Sequence, residues 1–141
     1  MRMRSIVVAC VIFAAGCNDV DDDVHANVTL LCNHEGTLAQ AAAEHLQHYG
    51  KRAIPTIEAA MHTASVPGRK NLILALRRIG DIDAVPLLAH IAITDGSPEV
   101  RREAEWTLKS WAADTKATDR AARAKAALRA NEEQVGAEEA G

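Results

Sequence analysis

Aromatic side chains are nearly missing: two Trp, one Tyr and one Phe make up 3% of the 141 residues. With alanine over-used and the large β-formers so scarce, helix is the expected state. Three cysteines are too few for a disulfide-rich miniprotein, and four prolines with eight glycines are too few for a collagen-like fibre. Positive charge is also short. Sixteen Lys and Arg stand against nineteen Asp and Glu, for a net charge of −3, which excludes a strongly basic nucleic-acid binder. The length excludes a large multidomain enzyme, while 48% hydrophobic and 25% charged residues suit one small domain. There is no Gly-x-Ser-x-Gly, no phosphate loop and no carboxylate pair set in a credible cleft.

What is present begins with an address. Arg2 and Arg4 form a short positive region ahead of an apolar run, Ser5 to Gly16. About twelve residues suit the apolar part of an export signal, whereas a spanning helix needs roughly 20. Ala14, Ala15 and Gly16 lead directly into Cys17. This resembles a bacterial lipoprotein signal, with Ala14 where leucine is usual. The resemblance implies that Cys17 takes the lipid and becomes the mature N-terminus, so that the membrane is one partner. Asn18 in place of aspartate lacks the retention signal of enterobacterial lipoproteins, which leans the destination toward the outer membrane. An ordinary secretory signal cut near Ala15 or Gly16 is the alternative. Cys17 is then a thiol that can bridge to Cys32, closing a loop worth up to ~3 kcal/mol. With Cys17 acylated, Cys32 is a lone, buried apolar thiol. Four aspartates within Asp19–Asp23 repel one another and predict an extended, solvated tether rather than a Ca²⁺ loop, which would need a Gly and a terminal Glu. Loss of residues 1–16 leaves a net charge of −5. Export and that charge together argue against nucleic acid.

The middle of the chain repeats itself. Ala53-Ile54-Pro55-Thr56-Ile57 matches Ala84-Val85-Pro86-Leu87-Leu88 at a shift of 31. Leu72-Ile73-Leu74-Ala75-Leu76 matches Ala104-Glu105-Trp106-Thr107-Leu108 at 32, and Leu46 to Gly50 matches Leu76 to Gly80 at 30. Each unit reads as helix, turn, helix and a Gly stop. Pro55 and Pro86 suit a first helical turn, and Gly50 and Gly80 suit C-caps. Asp95-Gly96-Ser97-Pro98-Glu99 is a turn with Ser97 as N-cap, and Val100, Ala104, Leu108 and Trp111 form the inner stripe of the helix that follows. No strand-like alternation competes in the mature chain.

The stretch 81–111 resembles a HEAT repeat, of the short type also seen in phycobilisome-lyase relatives, through Pro86, the turn Asp95 and the pair Val100-Arg101. Residues 53–80 are a degenerate copy, with Ala64 for the aspartate and Gly68 for the valine, and 35–50 look like the second helix of an earlier unit. The resemblance implies an all-α fold: a short right-handed solenoid of about two to two-and-a-half helical hairpins with a C-terminal capping helix. The expected organisation is a signal at 1–16, an acidic tether and lead-in at 17–33, the repeat domain at 34–112, and a terminal helix with a disordered tail at 113–141. Arg69 and Arg101 should satisfy turn carbonyls and the turn aspartate, as they do in the family.

Two constellations compete for function. Lys51, Arg77, Arg78 and Lys109 are candidates for a basic concave strip that binds an acidic segment of a protein partner. That expectation describes a non-catalytic adaptor with no cofactor. The rival is a metal-binding or catalytic periplasmic protein using His45 and His48, which share a helix face at i, i+3. Their Glu-His-x-x-His order is not the His-Glu-x-x-His of zinc proteases. Trp106 lies off the main stripe; exposed, it would be an interface anchor, but its equivalent Leu74 favours packing against the adjacent unit or the terminal helix. Trp111 is expected in the core, and Tyr49 at a repeat boundary.

Overall fold

A computed structural model describes the backbone from Arg4 to Gly141 and the side chains from Asp19 onward. The expected leader at 1–16, and both fates of Cys17, lie outside the described side chains. Among the described residues seven α-helices follow in order: α1 (Arg4–Asn33), α2 (Thr37–Gln47), α3 (Ile54–Met61), α4 (Val66–Ile79), α5 (Val85–Thr94), α6 (Pro98–Ala112) and α7 (Thr118–Ala140). No strand occurs among the described residues. The fold is the expected all-α solenoid. Three hairpins, α1–α2, α3–α4 and α5–α6, stack side by side, and α7 closes the end against α5 and α6.

The proline punctuation is visible twice over, but of the two expected glycine C-caps only Gly80 holds that place, since His48 caps α2 and Gly50 opens the turn that follows. Short 3-10 turns, Gly50–Ala53 and Ile82–Ala84, lead into α3 and α5, with Pro55 and Pro86 in the first helical turns. Gly80 ends α4 in the left-handed conformation, φ 65°. Ser97 stands at the N-cap of α6, but its side chain makes no capping bond. Asp95 takes over, accepting from the Ser97 N–H at 2.9 Å. The side-chain cap falls instead at Ser65, whose Oγ accepts from Gly68 N–H.

The core is aliphatic and continuous from Val24 to Ala124. Leu31, Leu46, Ile57, Leu72, Ile73, Leu76, Leu88 and Leu108 have no exposed surface. Trp111 is 4% exposed and belongs to this core as expected. The helices α2, α4 and α6 form one packed layer, whereas α3 and α5 stand apart across a groove of about 170 Å³. The wider spacing of the first helices puts them on the outer side of the curve and the second helices on the inner side.

Two segments differ from expectation. The acidic run is helical rather than extended, as the middle of α1. Asp21, Asp22 and Asp23 are exposed, while Val24, Asn27, Val28 and Leu31 are buried one helical turn apart. Asp21 and Asp22 therefore keep their carboxylates in solvent while Asp23 meets the Tyr49 hydroxyl at the edge of a docked helix, and the half-unit expected at 35–50 is completed by α1. At the other end the tail does not fray at Asn131, because α7 continues to Ala140. Alanine and glutamate favour it there, and Asn131 Nδ2 donates to the Ala89 carbonyl at 2.9 Å.

Candidate protein-binding surface

Three buried or half-buried polar contacts fix how the hairpins sit. Arg69 holds the turn Asp95 with two bonds, Nε to Oδ2 at 2.9 Å and Nη2 to Oδ1 at 3.1 Å, and its Nη1 donates to the Ala64 carbonyl. Arg101 Nη1 donates to the Asp95 backbone carbonyl at 2.6 Å. This is the turn-fastening role expected of the two arginines, and the fork geometry suits a carboxylate. Between α1 and α4, Asn71 Nδ2 donates to the Leu31 carbonyl at 3.0 Å and to that of His34 at 2.9 Å, satisfying the end of α1. Gly68 makes that approach possible: a Cβ there would lie 3.0 Å from the Cys32 carbonyl oxygen. The degenerate unit lacks its valine for this reason.

The inner layer presents alternating charge. Arg78 on α4 reaches Glu44 on α2 at 3.2 Å, and Arg77 on α4 reaches Glu103 on α6 at 3.0 Å. Lys70 and Glu99 stand 3.7 Å apart. The expected basic strip is thus a ladder of ion pairs rather than a free positive surface, because each helix brings carboxylates to the rungs. Lys109 leaves the strip altogether. It pairs with Glu105 one turn back on α6, and that carboxylate, aided by Glu132 of α7, pushes its pKa up. Lys51 is exposed in the 3-10 turn before α3, outside the inner layer.

Trp106 was expected to pack and does not. It is 55% exposed on α6, one ring face covered by the Arg77 guanidinium, which lies 4.8 Å from the ring centroid. Its repeat equivalent Leu74 is half-buried because α4 has second helices on both sides, α2 and α6. Among the described residues α6 has such a neighbour on the α4 side alone. Trp106 lies beside Lys70, Glu99, Arg102 and Glu103 around a shallow recess of about 450 Å³. Arg102, one turn before Trp106, is exposed and has no carboxylate partner among the described residues. Sequence reasoning missed Arg102, since it reads as one more surface cation.

The histidines are engaged in local structure. His45 Nδ1 and Asn27 Nδ2 lie 3.0 Å apart, which makes the imidazole the acceptor and ties α1 to α2. His48 Nδ1 meets the Glu44 carbonyl at 3.2 Å. Their ring centroids are 6.2 Å apart, and no group of three or more potential ligands gathers among the described residues. His45 and His48 are a pair without a third ligand, too few for the tetrahedral sites zinc prefers. Tyr49 is half-buried at the boundary, and its hydroxyl donates to Asp23 Oδ2 at 2.9 Å, which pushes the phenol pKa up. Cys32 is half-buried beside the α1–α3 groove rather than fully enclosed, and burial raises its thiol pKa.

A family search matches HEAT repeats over residues 30–109. The chain belongs to the HEAT-repeat family, whose members generally mediate protein–protein interaction and typically act as non-catalytic scaffolds. No curated protein and no solved structure matches it.

Proposed function

We propose that this chain is an exported, lipid-anchored adaptor that holds a protein partner on the inner layer of its solenoid, with Trp106 as the anchor. The exposed Trp106 carries this reading. Large aromatic side chains supply most of the binding energy in protein interfaces, and here one stands in solvent where the layer is otherwise charged. Arg77 and Arg78 orient the surface through their ion pairs, and Arg102 offers the free cation for an acidic residue on the partner.

Export and acylation at Cys17 rest on the charged start, the apolar run and the small residues before the cysteine. Asn18 supports an outer-membrane destination. Val24, seven residues after Cys17, is already buried. That lead spans about 10 Å as helix, so an acylated Cys17 keeps the solenoid close to the lipid surface.

A photo-crosslinking residue placed at Trp106 or Arg102 in cells should trap one dominant protein, and the same probe at Glu58 on the outer layer should not. Equal trapping at all three positions, or none, overturns the adaptor reading. Membrane partition lost in Cys17→Ser supports the anchor, and unchanged partition removes it.

A further inference from the structure

A second groove opens at the far end of the solenoid, between the second half of α7 and the α5–α6 hairpin, with a volume of about 350 Å³. Its floor is apolar, made by Ala92, Ile93, Leu128 and Val135, and Glu105, Glu132 and Glu139 stand around it. Val135 is 43% exposed on a stretch of helix whose other residues are small or polar. Lys109 answers one of the three carboxylates, so the groove keeps negative charge. We propose that this groove is a docking site for a basic amphipathic helix of a partner protein, separate from the inner-layer surface.

The chemistry selects that occupant. Leu128 to Glu139 covers about three turns, roughly 16 Å along α7, so a helix of similar length can lay one apolar stripe on the floor. Lysines or arginines flanking the stripe meet Glu132 and Glu139. An anionic lipid surface is disfavoured by the same carboxylates. A second copy of the chain would offer the basic half of α7, with Arg123, Lys125 and Arg129 exposed. The exposed residues among those cations are alanines, however, which cannot fill the floor.

The test is a fluorescence-anisotropy titration of the full-length chain with a labelled three-turn Leu/Lys amphipathic helix. The matched Leu/Glu peptide is the control. The Leu/Lys peptide should bind, the Leu/Glu peptide should not, and Val135→Asp should weaken binding at least tenfold. The pair Glu132→Lys with Glu139→Lys should do the same; both sites are exposed, so folding is not at stake. Trp106→Ala should leave the affinity unchanged, which separates this site from the inner layer. Absent binding, unaltered affinity in the groove variants, or loss in Trp106→Ala overturns the proposal. So does self-association abolished by Val135→Asp, which assigns the groove to a second copy.

Discussion

At the N-terminal end of the solenoid, α1 is held mainly by aliphatic side chains and by hydrogen bonds from the uncharged groups of Asn71 and Tyr49, with Asn71 capping its last carbonyls and Gly68 letting α4 approach its backbone. At the C-terminal end, α7 buries little more than Ala121 and Ala124 and is fastened by charge. Arg120 donates from Nη1 to the Gly80 carbonyl and from Nη2 to Asp114 Oδ2, each at 2.6 Å, and lies 4.9 Å over the Trp111 ring. Gly80 is needed there for its left-handed φ, and a Cβ would stand 2.7 Å from Arg120 Nη1 and displace that guanidinium. The contrast teaches that one solenoid can close its two ends by different forces. They should therefore fail under different perturbations.

The N-terminal end is broken most severely in its core. Leu31→Ala removes a side chain with no exposed surface and should cost about 3 kcal/mol. A urea titration should show one cooperative transition at a lower midpoint, because α1 shares the core with α2 and α4. A loss below about 1 kcal/mol, or a separate early transition, would show that α1 is an appendage. At the other end, Arg120→Ala should cost less, about 1–2 kcal/mol, since its bonds are strong but part-exposed. Hydrogen exchange should speed up in α7 first. Arg120→Lys should recover little, because one ammonium cannot reach both the Gly80 carbonyl and Asp114 while stacking on Trp111.

That asymmetry also explains what could be read in advance. The helical hairpins, the proline punctuation, the Gly80 stop and the burial of Trp111 follow from periodicity and repeat alignment, because those features are local or recur, while the turn role of Arg69 and Arg101 was implied by the resemblance to HEAT repeats. The docking of α1 was equally written in Val24, Val28 and Leu31, spaced at four and three residues. The neighbouring aspartates drew the whole segment into a tether. Arg120 and Asn71 gave no signal, since each acts across about forty residues on a backbone carbonyl. On the inner layer, the cations Arg77 and Arg78 were legible in the sequence but their partners were not. Glu44 and Glu103 neutralise Arg78 and Arg77 across helix boundaries that no spacing rule connects. Trp106 was misjudged because alignment with Leu74 transfers a residue's position but not its neighbours.

The smallest effects separate the ends most cleanly, through pH. Asn71→Ala should cost about 1 kcal/mol, and since a neutral amide meets neutral carbonyls, that cost should be flat from pH 8 to pH 3. Asp114 behaves otherwise. The Lys116 backbone N–H, together with Arg120 and the Ala117 N–H, holds its carboxyl below the ordinary value of 3.8, outweighing the opposing effect of desolvation. A carboxylate with a lowered folded-state pKa stabilises the fold above its unfolded value, and the gain disappears as pH falls through the folded one. The Tm difference between the parent chain and Asp114→Asn should therefore be constant near neutrality, begin to shrink around pH 4 and close below it. Parallel thermal melts of both variants across that range decide the matter. A gap for Asp114→Asn that stays constant into acid would mean that the charge on Asp114 does not fasten the C-terminal end.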